Sequence, residues 1–204
     1  MTSDSAAANP SWPPLPSPQP VLKTRRLWLR AFDLADAPAV HALASDERIA
    51  STTLNIPHPY EDGMAEAWIL SHRQLYVAGV VASFALVLQE TRELIGAIGL
   101  HLEPRHLRAE LGYWIGVPYW NQGYATEAGS TMLEFGFRVL ELNRIHASHF
   151  TRNPASGAVM RKLGMSYEGS LRQHVRKNGI FEDLETYAIL RSDYLKNETT
   201  HHPG

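Results

Sequence analysis

Residues 121–126 form a turn that could bind an anion. Here Gly123, Ala125 and Thr126 fall where strand-like alternation gives way to helical spacing. The first turn of a helix leaves backbone N–H groups unpaired, with partial positive charge behind them. Glycine and alanine let a ligand come close to those groups, and a threonine can add a hydroxyl. Such a terminus binds phosphate without a lysine, although an ordinary strand-to-helix joint has the same spacing.

Glu110 is the second residue that could do chemistry. It lies at the start of a stretch, 109–117, whose other positions are mostly apolar and alternate between two faces. Charged side chains are rarely placed near a core without a partner, so this carboxylate has either a role in a site or a cation beside it. The bland interpretation is a carboxylate at the rim that pairs with Arg105 or Arg108.

The elements that must position these residues follow from hydrophobic periodicity. Apolar residues alternate at 25–30, 81–89, 94–102, 109–117, 145–150, 166–176 and 181–190, and helical spacing appears after Asp33, over 62–77, from Gly123 to about 141, and over 153–163. We therefore expect one α/β (α+β) domain, with a mixed, mostly antiparallel sheet of about seven strands flanked by helices. The long helix between Val117 and Ile145 implies that the strands on either side of it are parallel neighbours.

Local signals fix several ends of these elements. Asp33 and Asp36 resemble a helix start, and Asn153 with Pro154 predicts an N-cap and a first helical residue. Asn178-Gly179 between two strands is a strong hairpin signal. Residues 1–20 are rich in proline and include Trp12, so we expect a flexible tail, a domain over 21–195, and a frayed tail over 196–204.

Composition excludes several classes of function. The net charge is −2 and there is no cysteine, which argues against a nucleic-acid binder and excludes thiolate chemistry and disulfides. No apolar run approaches a membrane span and the N-terminus lacks a secretory signal, so a cytoplasmic protein is expected. His146 and His149 should point to opposite faces of a strand, and no His-Glu-x-x-His, Gly-Lys-Ser/Thr or Gly-x-Gly-x-x-Gly pattern occurs, so neither a metal site nor a dinucleotide site is expected.

A family resemblance adds to this interpretation. Gln122-Gly-Tyr-Ala-Thr-Glu-Ala128 after Glu110-Leu-Gly-Tyr-Trp-Ile115 resembles the acetyl-CoA motif of the GCN5-related N-acetyltransferases (GNAT superfamily). Asn153-Pro-Ala-Ser156, Lys162-Leu-Gly-Met165 and Glu168-Gly-Ser-Leu-Arg172 resemble later blocks of the RimJ/RimL-type branch, which acetylates ribosomal-protein N-termini. The resemblance spans about residues 22–194. It departs at Trp120, because the superfamily often has Arg or Gln three residues before the first glycine.

The resemblance implies a set of site residues. Glu110 is expected to act as the base and Ser156 to protonate the leaving thiolate, although Ser156 also suits a plain first helical turn. Main-chain N–H groups near Trp114 would hold the oxyanion, and the strands around Gly116 would splay at a bulge to admit the pantetheine arm. The residues expected to contact acetyl-CoA are Ile115, Val117, Asn121, Gln122, Gly123, Tyr124, Ala125, Thr126, Asn153 and Lys162, and those expected to contact the acceptor are His58, Tyr60 and Tyr113.

The expected reaction is direct attack of an amine on acetyl-CoA in a ternary complex. A free α-amino group has a pKa near ~8, so a modest base is sufficient, whereas a lysine near ~10.4 needs more help. The first acceptor by resemblance is a protein or peptide N-terminus, and the second is a small amine such as a polyamine, amino sugar or drug. A non-catalytic acyl-CoA-binding module and a scaffold or oligomerisation domain are the rivals, and a homodimer is left open.

Overall fold

A computed structural model describes residues 13–200, with side chains as far as Lys196, and its centre is one eight-stranded sheet. The sheet order is β1-β2-β3-β4-β5-β6-β8-β7. The strands are β1 (Leu22–Lys23), β2 (Leu27–Arg30), β3 (Val81–Leu88), β4 (Leu94–Glu103), β5 (Arg108–Ile115), β6 (Arg144–Phe150), β7 (Ser166–Lys177) and β8 (Ile180–Leu190). The expected mixed α/β architecture is confirmed, and the strand beyond the seven expected is the two-residue β1 at the sheet edge.

Helices cover both faces of the sheet. They are α1 (Ala37–Ala44), α2 (Glu47–Thr52), α3 (Met64–Val77), α4 (Tyr124–Glu134), α5 (Pro154–Lys162) and α6 (Arg191–Thr200), with 3-10 turns at Leu34–Asp36, Pro104–His106 and Val117–Tyr119 and a π-helical turn at Phe135–Val139. Between residues 13 and 200, none of these helices has both the length and the apolar character needed to cross a bilayer.

Alternation along the strands divides the core into two clusters. Leu111 and Ile115 of β5 join the larger cluster, where α4 and α5 pack, and Trp114 joins the smaller one, where α1 and α3 pack. This division confirms the alternation expected for the strand. Val117 differs from the expectation because it lies past the end of β5, in a 3-10 turn, and packs against the smaller cluster instead.

The local signals at helix and turn boundaries correspond to the observed geometry. Asp33 and Asp36 form a capping box, and Asn153 caps α5 through a hydrogen bond from the N–H of Ser156. Asn178 and Gly179 have φ angles of 49° and 85°, as a type I′ hairpin turn requires. The short helix α2 was not expected; Asp46 caps it by accepting from the N–H of Arg48.

Strands β5 and β6 are parallel, as the long helix between them implied. They pair only from Arg108 with Arg144 to Glu110 with His146, and beyond Glu110 no further pairs form. The expected bulge in β5 is not found, because β5 keeps an unshifted register with β4 from Glu103 with Arg108 to Gly96 with Ile115. A gap opens between β5 and β6 because the two strands diverge after Glu110. Gly116 lies beyond the end of β5, and its N–H donates to the carbonyl of Ile95.

The structure describes part of each segment expected to be a tail. Residues 1–12, including Trp12, and residues 201–204 lie outside the described part of the chain. Residues 13–20 contact the domain, since the carbonyl of Pro16 accepts from the Tyr76 hydroxyl and the Gln19 side chain donates to the carbonyl of Ser83. At the other end, helix α6 continues through residue 200.

Candidate active site

A cavity of about 750 Å³ opens where β5 and β6 diverge, and it runs from the first turn of α4 to the helices α1–α3. Most of the residues expected in the site line it: Glu110, Ser156, Ile115, Asn121, Gly123, Tyr124, Ala125, Thr126, Asn153, Lys162, Tyr60 and Tyr113. Three do not. Gln122 turns its side chain to the carbonyl of Pro118, Val117 packs against the smaller core cluster, and His58 is exposed in the loop before α3.

The turn before α4 has the geometry of an anion cradle. Gly123 is the N-cap, with a φ of 81°, and Asn121 has a φ of 61°. No side chain caps this helix, and residues 124–126 line the cavity, so the first N–H groups remain available to a ligand. These N–H groups and the gap beside β5 suit a coenzyme with a diphosphate and a narrow extended arm.

Trp120 has a structural role at this turn. Its indole Nε1 donates to the carbonyl of Ile115 at 2.5 Å, which satisfies the last residue of β5 where pairing stops. Ile115 lines the cavity as expected, but its carbonyl is committed to Trp120. The indole N–H at position 120, where the superfamily often has a cation or an amide, is therefore engaged within the protein.

Two hydroxyl groups, one from β5 and one from the first turn of α5, form a pair that lines the cavity. The Tyr113 hydroxyl is 2.8 Å from Oγ of Ser156 and 3.2 Å from its main-chain carbonyl oxygen. Burial raises the pKa of Tyr113 to about 12, and the hydrogen bond with Ser156 offsets only part of that rise. Tyr113 therefore stays protonated at neutral pH, and Ser156 is both a first-turn residue of α5 and half of a hydrogen-bonded pair that faces the cavity.

Glu110 sits at the last paired position before the strands diverge. Its neighbours in register are His101 on β4 and His146 on β6. Burial lowers the pKa of His146, and the nearby Glu110 charge opposes that shift only in part. Among residues 13–196 no cation forms an ion pair with Glu110, because Arg108 instead binds Glu103 at 2.7 Å. The expected alternative of a rim pair with Arg108 is not what the structure shows.

Aromatic side chains line the cavity on the side of α3 and form an aromatic wall. Trp68 of α3 lies 5.0 Å from Phe32, 4.3 Å from His72 and 6.5 Å from Trp114, measured between ring centroids. Burial, with a smaller contribution from His101, lowers the pKa of His72 to about 4, so its imidazole is neutral at pH 7. This half of the cavity is therefore largely apolar.

The loop after α2 closes this half of the cavity, and contacts distant in sequence fix it. Lys177, which is 9% exposed, donates to the carbonyls of Leu54 and Ile56 at 3.1 and 2.9 Å. The Asn153 side-chain amide donates to the carbonyl of Thr52 at 3.5 Å, while its oxygen accepts from the N–H of Ser156 at 3.4 Å. Sequence reasoning missed Lys177; the only local signal is its position next to the hairpin turn.

Comparisons with known proteins agree with this architecture. The model of the Acetyltransferase (GNAT) domain matches residues 26–166. The chain is 35% identical to "Uncharacterized N-acetyltransferase YoaA" of Bacillus subtilis (strain 168), over 84% of this chain and 97% of that protein. It is 25% identical to the spermidine N(1)-acetyltransferase of Vibrio cholerae serotype O1, over 83% of this chain and 96% of that protein.

A solved structure shows the same fold. RimL, a ribosomal L7/L12 alpha-N-protein acetyltransferase in complex with coenzyme A, superposes with a TM-score of 0.75 at 24% identity, covering 84% of this chain and 96% of that one. At this identity the likeness shows the fold alone.

Proposed function

Because this chain belongs to the GNAT acetyltransferases and is an acetyl-CoA-dependent N-acetyltransferase, we propose that its acceptor is the α-amino group of a protein or peptide N-terminus. Proteins similar to this chain are named for different amines: RimL, which shares the fold, for a ribosomal-protein α-amine, and the 25% identical protein from Vibrio cholerae for spermidine. The choice between these two acceptors therefore depends on the part of the cavity formed by helices α1–α3 and the loop after α2, which we call the acceptor wall.

The count of carboxylates supports a singly charged acceptor. Glu110 is the one acidic side chain that lines the cavity in the part of the chain that the structure describes, and the same lining includes Lys162, His72 and His101. A polyamine brings two or more positive charges, and burying each without an opposite charge is costly. A single α-amine brings one positive charge, which one carboxylate can balance. The observation that carries the proposal is therefore that, among the described residues, Glu110 is the one acidic residue in the cavity lining.

The chemistry follows from the positions of these side chains. Acetyl-CoA supplies a thioester whose carbonyl carbon can be attacked by an amine. Glu110 accepts a proton from the ammonium group, directly or through one water, and an α-amine with a pKa near ~8 asks little of it. Attack forms the C–N bond and the C–S bond then breaks. Ser156 donates its proton to the departing sulfur and regains one, through water, from the second proton that the nitrogen loses as the amide forms, while Tyr113 keeps the Ser156 hydroxyl oriented through their 2.8 Å hydrogen bond.

The aromatic wall favours a second acceptor, a small monoamine with an apolar or aromatic body. Trp68, Tyr60 and Trp114 all line the cavity, and they could hold either a large first side chain of a peptide or the body of a small drug-like amine. Both candidates carry one ammonium group, so both are compatible with a single carboxylate. They differ in whether a peptide bond follows the amine.

The test is a comparison of kcat/KM for four acceptors with release of free CoA as the signal. The acceptors are a peptide with a free aromatic N-terminal residue, the same peptide with a blocked N-terminus and one lysine, phenethylamine, and spermidine. We expect the free peptide to exceed spermidine and the blocked peptide by at least about tenfold in kcat/KM, which corresponds to about 1.4 kcal/mol, because spermidine brings further charges and lysine has the higher pKa. Spermidine as the best acceptor would overturn the proposal.

The rival of an acyl-CoA-binding module without turnover is tested with the same assay. Glu110→Gln should lower kcat by roughly 100-fold, which is the lower end of what a general base contributes. Glu103→Gln is the matched control, because Glu103 lies one strand away, paired with Arg108 at the rim. Equal turnover in wild type and Glu110→Gln would remove Glu110 from the mechanism.

A further inference from the structure

The segment before β2 is attached to the first turn of α4 through Glu127. The carboxylate of Glu127 accepts from Nε of Arg26 at 2.6 Å, from the main-chain N–H of Arg26 at 2.8 Å, and from the Thr24 hydroxyl at 2.6 Å. The Arg26 guanidinium also lies over the Tyr124 ring, 4.3 Å from its centroid. Arg26 is thereby fixed beside the turn that receives the diphosphate of the coenzyme, although it lies outside the lining of the enclosed cavity.

These contacts use only one edge of the guanidinium group. Within residues 13–196, Nη1 and Nη2 of Arg26 have no hydrogen-bond acceptor, and the side chain is 33% exposed. Nη2 lies 3.6 Å from the position that a Cβ on Gly123 would take. The unused N–H groups are therefore held next to the N-cap of α4, where a phosphate oxygen that binds the first-turn amides would be within reach.

The charge of Glu127 would oppose an anion at this place unless a cation neutralised it. A carboxylate in the first turn stabilises a helix through its dipole, but it repels an anion bound at the same terminus. The Glu127 side chain is only 16% exposed, so solvent screens it little. Arg26 neutralises that charge through Nε and keeps both of its NH2 groups, Nη1 and Nη2, for the ligand, as the planar fork of a guanidinium allows and a lysine does not.

The side chain at position 120 cannot take this part. The Trp120 indole has no positive charge, and its N–H is bonded to the carbonyl of Ile115. We propose that Arg26 is a ligand for the coenzyme diphosphate, and that it supplies from the start of β2 the charge-assisted contact that position 120 lacks. The inference rests on the use of acetyl-CoA and is independent of which amine is the acceptor.

The test separates contact with the diphosphate from a structural role. Acetyl-CoA affinity is measured by calorimetry for wild type and Arg26→Gln, and turnover is measured with acetyl-CoA and with S-acetyl-N-acetylcysteamine, a thioester without a diphosphate. We expect Arg26→Gln to weaken acetyl-CoA binding by about 10- to 100-fold, the range for a charge-assisted hydrogen bond, and to lower kcat/KM for acetyl-CoA at least about tenfold more than kcat/KM for the short thioester. Arg92→Gln is the control, because the Arg92 guanidinium also lies over an aromatic ring, 3.9 Å from the centroid of Trp28, whereas Glu127 pairs with Arg26.

A double variant separates direct contact from neutralisation of Glu127. If Arg26 binds the diphosphate, Arg26→Gln/Glu127→Gln remains at least about tenfold weaker than wild type, because removing the repulsion does not restore the lost hydrogen bonds. Wild-type affinity in the double variant overturns the proposal, and so does an equal loss with both thioesters. Thermal unfolding without ligand identifies any variant that fails to fold. If Arg26→Gln does not fold, Arg26→Lys replaces it: this variant keeps the charge but loses the planar fork, so its affinity for acetyl-CoA should be lower than that of wild type. None of these outcomes alters the acceptor preference of the wild type.

Discussion

Replacing Gly123 by alanine should weaken acetyl-CoA binding beyond its effect on folding. Gly123 has a φ of 81°, and a Cβ there would meet only Nη2 of Arg26, at 3.6 Å, which is an ordinary contact. The folding cost is therefore the left-handed backbone alone, about 1–2 kcal/mol. For a chain of this size that cost lowers Tm by about 2–8 °C.

Gly63 provides a matched control for that cost. It is the N-cap of α3 with a φ of 83°, a Cβ there would meet nothing within 4 Å, and it does not line the cavity. Gly63→Ala should therefore lose the same stability as Gly123→Ala and keep wild-type affinity for acetyl-CoA. In Gly123→Ala the methyl group occupies the space between the first-turn amides and Arg26, and we expect the Kd to rise by about tenfold or more, about 1.4 kcal/mol.

The assay is thermal unfolding with and without acetyl-CoA at about 100 times the wild-type Kd. Wild type and Gly63→Ala should each gain roughly 2.7 kcal/mol from the ligand, whereas a tenfold weaker Gly123→Ala should gain about 1.4 kcal/mol. The informative quantity is the ligand-induced gain, because the folding cost is common to both variants. An equal gain in Gly123→Ala and Gly63→Ala would refute the assignment of this turn as the phosphate cradle.

Three further predictions concern the walls of the cavity. Tyr113→Phe should lower kcat by about 2- to 10-fold, the worth of one neutral hydrogen bond, and leave the pH profile of kcat unchanged between pH 6 and 9, because the pKa of Tyr113 is already raised to about 12; a lost alkaline limb would contradict this. In the folded protein the pKa of His72 is lowered from 6.5 to about 4, so the unfolded chain takes up the proton at a higher pH and folding stability should fall as the pH drops from 6.5 to 4. Urea unfolding at pH 7 and pH 5 should therefore show a smaller loss of folding stability in His72→Phe than in wild type. An equal loss in the two proteins would exclude His72 as the cause. Lys177→Met removes the hydrogen bonds to the carbonyls of Leu54 and Ile56, so the KM for the peptide should rise severalfold while the affinity for acetyl-CoA stays at the wild-type value. The control variant Lys23→Met should keep the wild-type KM. An unchanged KM in Lys177→Met would show that Lys177 does not hold the acceptor wall.

The elements that the sequence predicts well are those specified by neighbours in the chain. The alternation from 109 to 115, the cap at Asn153 and the turn at Asn178-Gly179 each depend on a few adjacent residues, and the structure has each of them. Helix α2 was missed because its six residues are too short for a clear period, and only its cap at Asp46 marks it.

The parts of the site that the sequence does not predict are contacts between distant segments. Tyr113 and Ser156 are 43 positions apart, and Lys177 and Leu54 are 123 apart, so no local pattern links either pair. The position of Arg26 beside α4 also depends on where the sheet brings β2. Most of the residues predicted for the site line one cavity because the strand, turn and helix from β5 to α4 are contiguous, whereas the acceptor wall is assembled from separate segments.

The most direct test of the account is a single turnover with enzyme that already holds acetyl-CoA. The preloaded enzyme is mixed with a peptide that has a free N-terminus, and the acetylated peptide and the intact protein are followed by mass spectrometry. We expect acetyl-peptide and free CoA to appear together with no acetylated protein, and Glu110→Gln to react roughly 100-fold more slowly at unchanged acetyl-CoA affinity. An acetyl-protein that forms before the product, or the same rate in Glu110→Gln, would contradict direct transfer beside Glu110.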